Sequence, residues 1–341
     1  MNMTIGNKIF SALLSVVIVL LSSCEGINMD SLISLTADKT FVLTGETVTF
    51  NVKYSDYQDV SNSSAIRCKE TGEYLTGNVF TAKTAGVWTF VAEYDGMMSN
   101  EVSVTAQNPI VSKFRKHVCL MEFTGQWCAM CPGGATTINY FVTRVYPDIL
   151  HVLAFHNADE FALPEEVELS KRFAFGGYPG YVVDMQYFGQ VTGGQFSADL
   201  DKAVSAANLH CGVSVSSTLE REKATITANV YSELSSKYRI AAYVLEDMIV
   251  AKQNVSGTYT DDYIHRHVVR KMLSATIDGD DLGIIEVDGE KSKEYTFDLE
   301  ESWNKDNLEV CVLIIGEDAS VNNMAVCSVD GGKMEYDRIK K

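Results

Sequence analysis

Positive charge is scarce in this chain: 28 lysines and arginines stand against 45 aspartates and glutamates, a formal net charge of -17 at pH 7. A phosphate backbone rewards clustered cations and repels an acidic surface, so nucleic acid is excluded as a partner. There are six histidines and a single C-x-x-C pair in the 341 residues, too few for a zinc site built from paired cysteines, and no metal or organic cofactor is expected. No P-loop or nucleophile elbow occurs, which leaves nucleotide binding and hydrolysis without support. The acidic turn DGDDLG, 278–283, lacks the oxygen ligand at loop position five and the glutamate at twelve of a calcium loop. Beyond the N-terminus no apolar run approaches the roughly 18 residues of a membrane span.

What is present begins with IFSALLSVVIVLL after Lys8, ending in Leu21-Ser22-Ser23-Cys24. The run is short for a span and ends in small residues, so it reads as a cleaved secretory signal. Leu-Ser-Ser-Cys also resembles a bacterial lipobox, which implies that residues 1–23 are removed and that Cys24 carries the lipid. The alternative is an ordinary signal with an incidental cysteine. Export implies an oxidising compartment, in which Cys68, Cys119, Cys128, Cys131, Cys211, Cys311 and Cys327 must be accounted for.

After a tether at 24–31, residues 32–107 show strand alternation such as Val48-Phe50-Val52 and Trp88-Phe90-Ala92, expected of an immunoglobulin-like β-sandwich. Asn108-Pro109 interrupts the pattern as an extended linker. Over 112–209 strands and helices alternate. VCLMEF reads as a buried strand; Ile138, Phe141, Val142 and Val145 share a helix face that ends before Pro147; ILHVLAF is a second buried strand; and PEEVELSKRFAF starts as a helix should. From 211 to 341 about eight strand segments predict a C-terminal β-sandwich. The class expected is multidomain α+β. Cys311 and Cys327 flank a turn near Ser320, where a hairpin permits a disulfide between them or leaves two unbridged neighbouring thiols.

GQWCAMCPGG, 125–134, holds a pair that is compatible with redox exchange, half a zinc site or a structural staple. A cysteine after a buried strand and at a helix start has its thiolate stabilised by unpaired N–H groups and the helix dipole, and its partner three residues on is within disulfide reach. His156, ending ILHVLAF, either tunes such thiols or is an ordinary strand-end polar residue. His265 and His267 are expected to be solvated or to face a neighbouring domain.

LMEFTGQWCAMCP resembles the active-site segment of the thioredoxin family, and GGYPGYVVD its cis-proline segment. The resemblance implies a central thioredoxin-like α/β domain, with Cys128 as nucleophile, Cys131 as resolving thiol and Glu122 as a buried acid assisting proton transfer. It also implies that Trp127 walls the site, Tyr178 offers backbone contacts to a partner and Pro179 is cis. Together with the lipobox, the segments AYVLEDMIVAKQN and HRHVVR make residues 115–341 similar to the twenty-eight-kilodalton outer-membrane-protein-related lipoproteins of Gram-negative bacteria. The function expected is a lipid-anchored thiol-disulfide oxidoreductase of the cell envelope, at the outer membrane. Its partners would be envelope proteins bearing thiols or disulfides and a separate protein that donates or accepts electrons. The rival reading is a non-enzymatic surface lipoprotein that binds a protein or glycan, because a fold does not dictate an activity. An oxidoreductase needs the Cys128 sulfur accessible beside Pro179, whereas a scaffold can bury it.

Overall fold

All seven residues of the strand Val118–Thr124 are buried, because sheet neighbours flank it on both edges and other elements cover both faces, which is why its sequence does not alternate. It pairs in parallel with Leu150–His156 and antiparallel with Gly180–Val183. The computed structural model describes residues 32–55, 58–206 and 209–340, and the chain divides between Ala106 and Gln107 into two compact units. Cys24 and the signal segment lie outside the described residues.

In the first unit the partners of Thr47–Tyr54 and of Gly86–Tyr94 all run antiparallel to them. One sheet contains Ile33–Ala37, Thr47–Tyr54, Gln58–Asp59 and Val79–Thr81; the other contains Phe41–Leu43, Val102–Gln107, Gly86–Tyr94, Ala65–Cys68 and Met97–Met98. Period-2 alternation turns Val48, Phe50 and Val52 inward, and they meet Phe90 and Ala92 in one core. The rings of Phe50 and Phe90 lie 4.6 Å apart, each side chain contributing about 1.5–3 kcal/mol by its burial.

The second unit is organised by a nine-stranded mixed sheet. Its order is Tyr187–Gln190, Gly180–Val183, Val118–Thr124, Leu150–His156, Val268–Met272, Ser236–Glu246, Leu308–Ile315 and Val321–Ser328, with Asp280–Ile285 also paired to Ser236–Glu246. A four-stranded sheet of Glu290–Asp298, Lys223–Ser232, Cys211–Glu220 and Lys333–Met334 contributes Val213, Ile226 and Phe297 to a core shared with Val244 and Val312. Three α-helices are described: Cys131–Tyr140, Pro164–Phe173 and Phe196–Val204. The first runs into a π-helical turn, Phe141–Val145, and stops before Pro147. The second has Pro164 at its start, Glu165 and Glu166 in its first turn, and Lys171 and Arg172 in its last, an arrangement that complements the helix dipole.

Two expectations are corrected here. The expected multidomain α+β class with a thioredoxin-like α/β core is overturned: the described residues are mostly β, 50% strand against 13% helix. The edge of Leu150–His156 that a separate central domain would leave free is taken by Val268–Met272, with Ala154 opposite Val268. Cys119, Met121, Phe123, Leu153 and Phe155 pack in the same core as Tyr243, Leu245, Cys311 and Leu313, so no boundary falls at residue 210. Local periodicity reads each element but cannot show which distant strand will occupy an open edge.

The second correction concerns Cys311 and Cys327, which are not bridged. Cys311 stands opposite Val326, and Cys327 opposite Val310. This offset of one residue sends the two side chains to opposite faces of the sheet, Cys311 into one core and Cys327 into the other. Both thiols are pushed up by burial, Cys327 to about 12.

Candidate functional site

Thr124 ends the buried strand, and the turn from Gly125 to Met130 leads into the helix at Cys131. Cys128 therefore sits in the turn before the helix, its N–H donating to the Gly125 carbonyl at 3.0 Å. Cys128 and Cys131 form a disulfide with Cα atoms 5.4 Å apart, the ordinary span of such a bond. They are only 5% and 1% exposed.

The remaining expected residues gather around this turn. The Tyr178–Pro179 peptide is cis, and Pro179 packs on the helix at Gly134, where an added Cβ would come within 2.7 Å of the proline ring. The Trp127 ring meets the Tyr178 ring edge-on at 5.4 Å, and its Nε1 donates to the Asn157 carbonyl at 2.8 Å. The Tyr178 hydroxyl donates to Glu166, which also accepts from Asn157 Nδ2 at 2.7 Å. Asp159 accepts from the Gln126 N–H at 2.8 Å and pairs with His156 Nδ1 at 2.7 Å. Burial opposes ionisation of Asp159, but His156 and two backbone N–H donors outweigh it and hold the carboxyl below its ordinary range.

A hairpin, Ile249–Val255 paired with Thr258–His265, closes over the turn. The Asn254 N–H donates to Gln126 O at 2.7 Å and the Ser256 N–H to Ala129 O at 3.2 Å. Gln253 Nε2 donates to Gly125 O at 3.3 Å and Cys128 O at 3.0 Å, and Asn254 Nδ2 to Trp127 O at 3.2 Å. Every residue from Gly125 to Ala129 thus gives its carbonyl to the hairpin. His265 is buried rather than solvated, its Nε2 on the Lys252 carbonyl at 3.2 Å.

Glu122 is buried beneath this arrangement, 6% exposed, and its Oε1 has no hydrogen-bond partner among the described residues. Burial alone raises its pKa to about 7. It lines a cavity of about 220 Å³ together with Cys131, Pro132, His156, Gln253 and Tyr263. Among the described residues no group of three or more His, Cys, Asp or Glu could hold a metal ion.

Sequence reasoning missed Asn157, Asp159, Glu166, Gln253 and Asn254. The last two stand at the end of AYVLEDMIVAKQN, a segment distinctive enough to carry a resemblance, but nothing local to it shows that it docks on a turn more than a hundred residues away.

Residues 168–333 match the profile of a family described as Outer membrane protein Omp28, a match that supports a cell-envelope location. No curated protein matches the chain. In structure, the chain is similar to HBP35 of Porphyromonas gingivalis, at 21% identity and a TM-score of 0.57 over 64% of this chain and 77% of that one. A protein from Agrobacterium tumefaciens aligns at 14% identity and a TM-score of 0.43, over 66% of this chain and 100% of its own. The likeness to the Porphyromonas protein is one of fold. Among the described residues no helix is long and apolar enough to cross a membrane.

Proposed function

We propose that this is a lipid-anchored protein of the bacterial envelope that works by binding a protein or glycan partner, with the Cys128–Cys131 bond acting as a fastening rather than an exchange centre. The observation that carries this reading is the docked hairpin: five hydrogen bonds hold it on residues 125–129, and Cys128 is 5% exposed. Attack on a partner's disulfide requires an in-line approach to the sulfur, and access governs the rate. In this reading Trp127, Tyr178 and Pro179 form the supporting wall of the turn, and Cys24 supplies the anchor. The match to an outer membrane protein family supports the location.

The test takes the folded protein under native conditions with a dithiol reductant and counts the thiols that a maleimide captures. The expected result is no labelling of Cys128 or Cys131 until denaturant is added, and no catalysed reduction of insulin. Rapid labelling, or mixed disulfides of a Cys131→Ser variant with envelope proteins, overturns the reading. Growth on labelled palmitate tests the anchor, with the label expected on the native chain and absent from Cys24→Ala.

A further inference from the structure

The cavity beside the fastening has a chemical character of its own. It is half-open to solvent, lies between the strands Val118–Thr124 and Leu150–His156, the helix Cys131–Tyr140 and the hairpin, and has a volume of about 220 Å³. A cavity of about 150 Å³ is enough to admit benzene, so this one accepts a molecule of about ten heavy atoms.

Its lining holds the carboxyl of Glu122. Among the described residues Glu122 Oε1 is buried without a partner, a costly arrangement that native interiors rarely leave unresolved. Four of the neighbouring polar groups are committed elsewhere. His156 Nδ1 is held by Asp159, His265 Nε2 by the Lys252 carbonyl, Gln253 Nε2 by turn carbonyls, and Arg266 reaches Asp247 at 3.2 Å. Burial keeps His265 and His267 below the ordinary imidazole range, so these two rings add no positive charge near neutrality. Tyr263 and His265, with ring centroids 4.9 Å apart, add aromatic surface to the same lining.

We infer that this cavity is a binding site for a small organic amine, whose ammonium group pairs with the Glu122 carboxylate while its hydrocarbon part lies among Ile138, Val142 and the Tyr263 ring. An ammonium donates a charge-assisted hydrogen bond to a carboxylate and is attracted by aromatic faces. A net charge of -17 enriches cations around the molecule. An anion would meet an unneutralised carboxylate and is disfavoured. The inference goes beyond the proposed function and does not depend on whether the disulfide exchanges.

The experiment titrates the full mature chain with benzylamine at pH 8, where the carboxyl is mostly ionised and the amine mostly protonated, and follows binding by calorimetry. Benzyl alcohol, a neutral analogue of the same shape, is titrated in parallel. Saturable benzylamine binding is expected, with benzyl alcohol and the Glu122→Gln variant each at least about tenfold weaker, a difference of about 1.4 kcal/mol. A second variant, Ala135→Leu, fills the cavity from the helix while leaving Glu122 in place, and is expected to lose binding to a similar extent. Absence of saturable amine binding overturns the inference, as does equal affinity for the alcohol. Should Glu122→Gln fail to fold, the amine-to-alcohol ratio and Ala135→Leu decide; unchanged binding in Ala135→Leu locates the amine elsewhere and also overturns it.

Discussion

Gln253 and Cys128 are joined across 125 positions of sequence, the amide Nε2 of the first lying 3.0 Å from the carbonyl oxygen of the second. Gln253 is 2% exposed, so its donors have no water to turn to, and its side chain supplies two of the five hydrogen bonds that hold the hairpin on the turn that carries the disulfide.

Gln253→Ala leaves the Gly125 and Cys128 carbonyls buried without that donor, at a cost of about 1–3 kcal/mol. The expected outcome is a lower urea midpoint, together with faster reduction of Cys128–Cys131 in the native state. Unchanged reduction kinetics in a destabilised variant would show that the hairpin does not shield the bond.

Two adjacent glycines in one helix should respond oppositely to alanine. At Gly134 the new Cβ would lie 2.7 Å from Cβ and Cγ of Pro179, and the overpacking is expected to cost about 1–3 kcal/mol. At Gly133 nothing lies within 4 Å, so alanine is expected to stabilise by up to about 1 kcal/mol through helix propensity. Thermal melts of the two variants check the pair.

Glu122 links stability to pH with a definite sign. Its folded pKa, about 7, stands above its ordinary 4.5, so the folded state holds the proton more tightly. The group favours folding fully below about 4.5, and that contribution is lost as pH rises through about 7, by on the order of 3 kcal/mol. His151, His210 and His265 run the other way. Burial holds each near 4, so their contribution is present above the ordinary 6.5 and lost as pH falls through about 4. The difference between the native chain and Glu122→Gln isolates the carboxyl: denaturation midpoints from pH 4.5 to 8 should fall with pH more steeply in the native chain than in the variant.

Lys116 and Asp184 form a buried ion pair at 2.9 Å. Lys116 also donates to the Val321 and Asn322 carbonyls, while Asp184 accepts from the Cys119 N–H. Lys116→Met strands a buried carboxylate and is expected to destabilise by about 3–5 kcal/mol. Adding Asp184→Asn should recover part of that loss in denaturant titrations, and a strictly additive double variant would contradict the coupling.

A fragment of residues 112–209 is expected to stay insoluble or unfolded, because it bares the Leu150–His156 edge and half of a shared core. A dispersed amide spectrum from the fragment would contradict this.

How far the sequence speaks for the structure varies with the range of the interaction. The unbroken apolar run VCLMEF, the stop before Pro147 and the acids after Pro164 mark their elements locally, because burial, proline geometry and the helix dipole act over a few residues. The cysteine turn and GYPG could be placed near each other only through a family resemblance. The sheet's continuation through Val268, the offset between Cys311 and Cys327, and the docking of Gln253 all depend on pairings between distant segments. A bulge between Ile314 and Ile315 shifts the hairpin register, and no residue count from the turn reveals it. The same blindness made an α/β domain appear where one large sheet exists.

That sheet also dictates when the second unit can fold. Lys116, near the unit's beginning, takes a hydrogen-bond acceptor 206 positions later, and the edge beside Ala154 waits for Val268. Contacts of such long range slow folding and leave apolar strands uncovered in the interim. A chain made from its N-terminus onward must therefore hold VCLMEF open until its last strands arrive, which makes the interval before closure the stage at which its apolar strands are most exposed to aggregation.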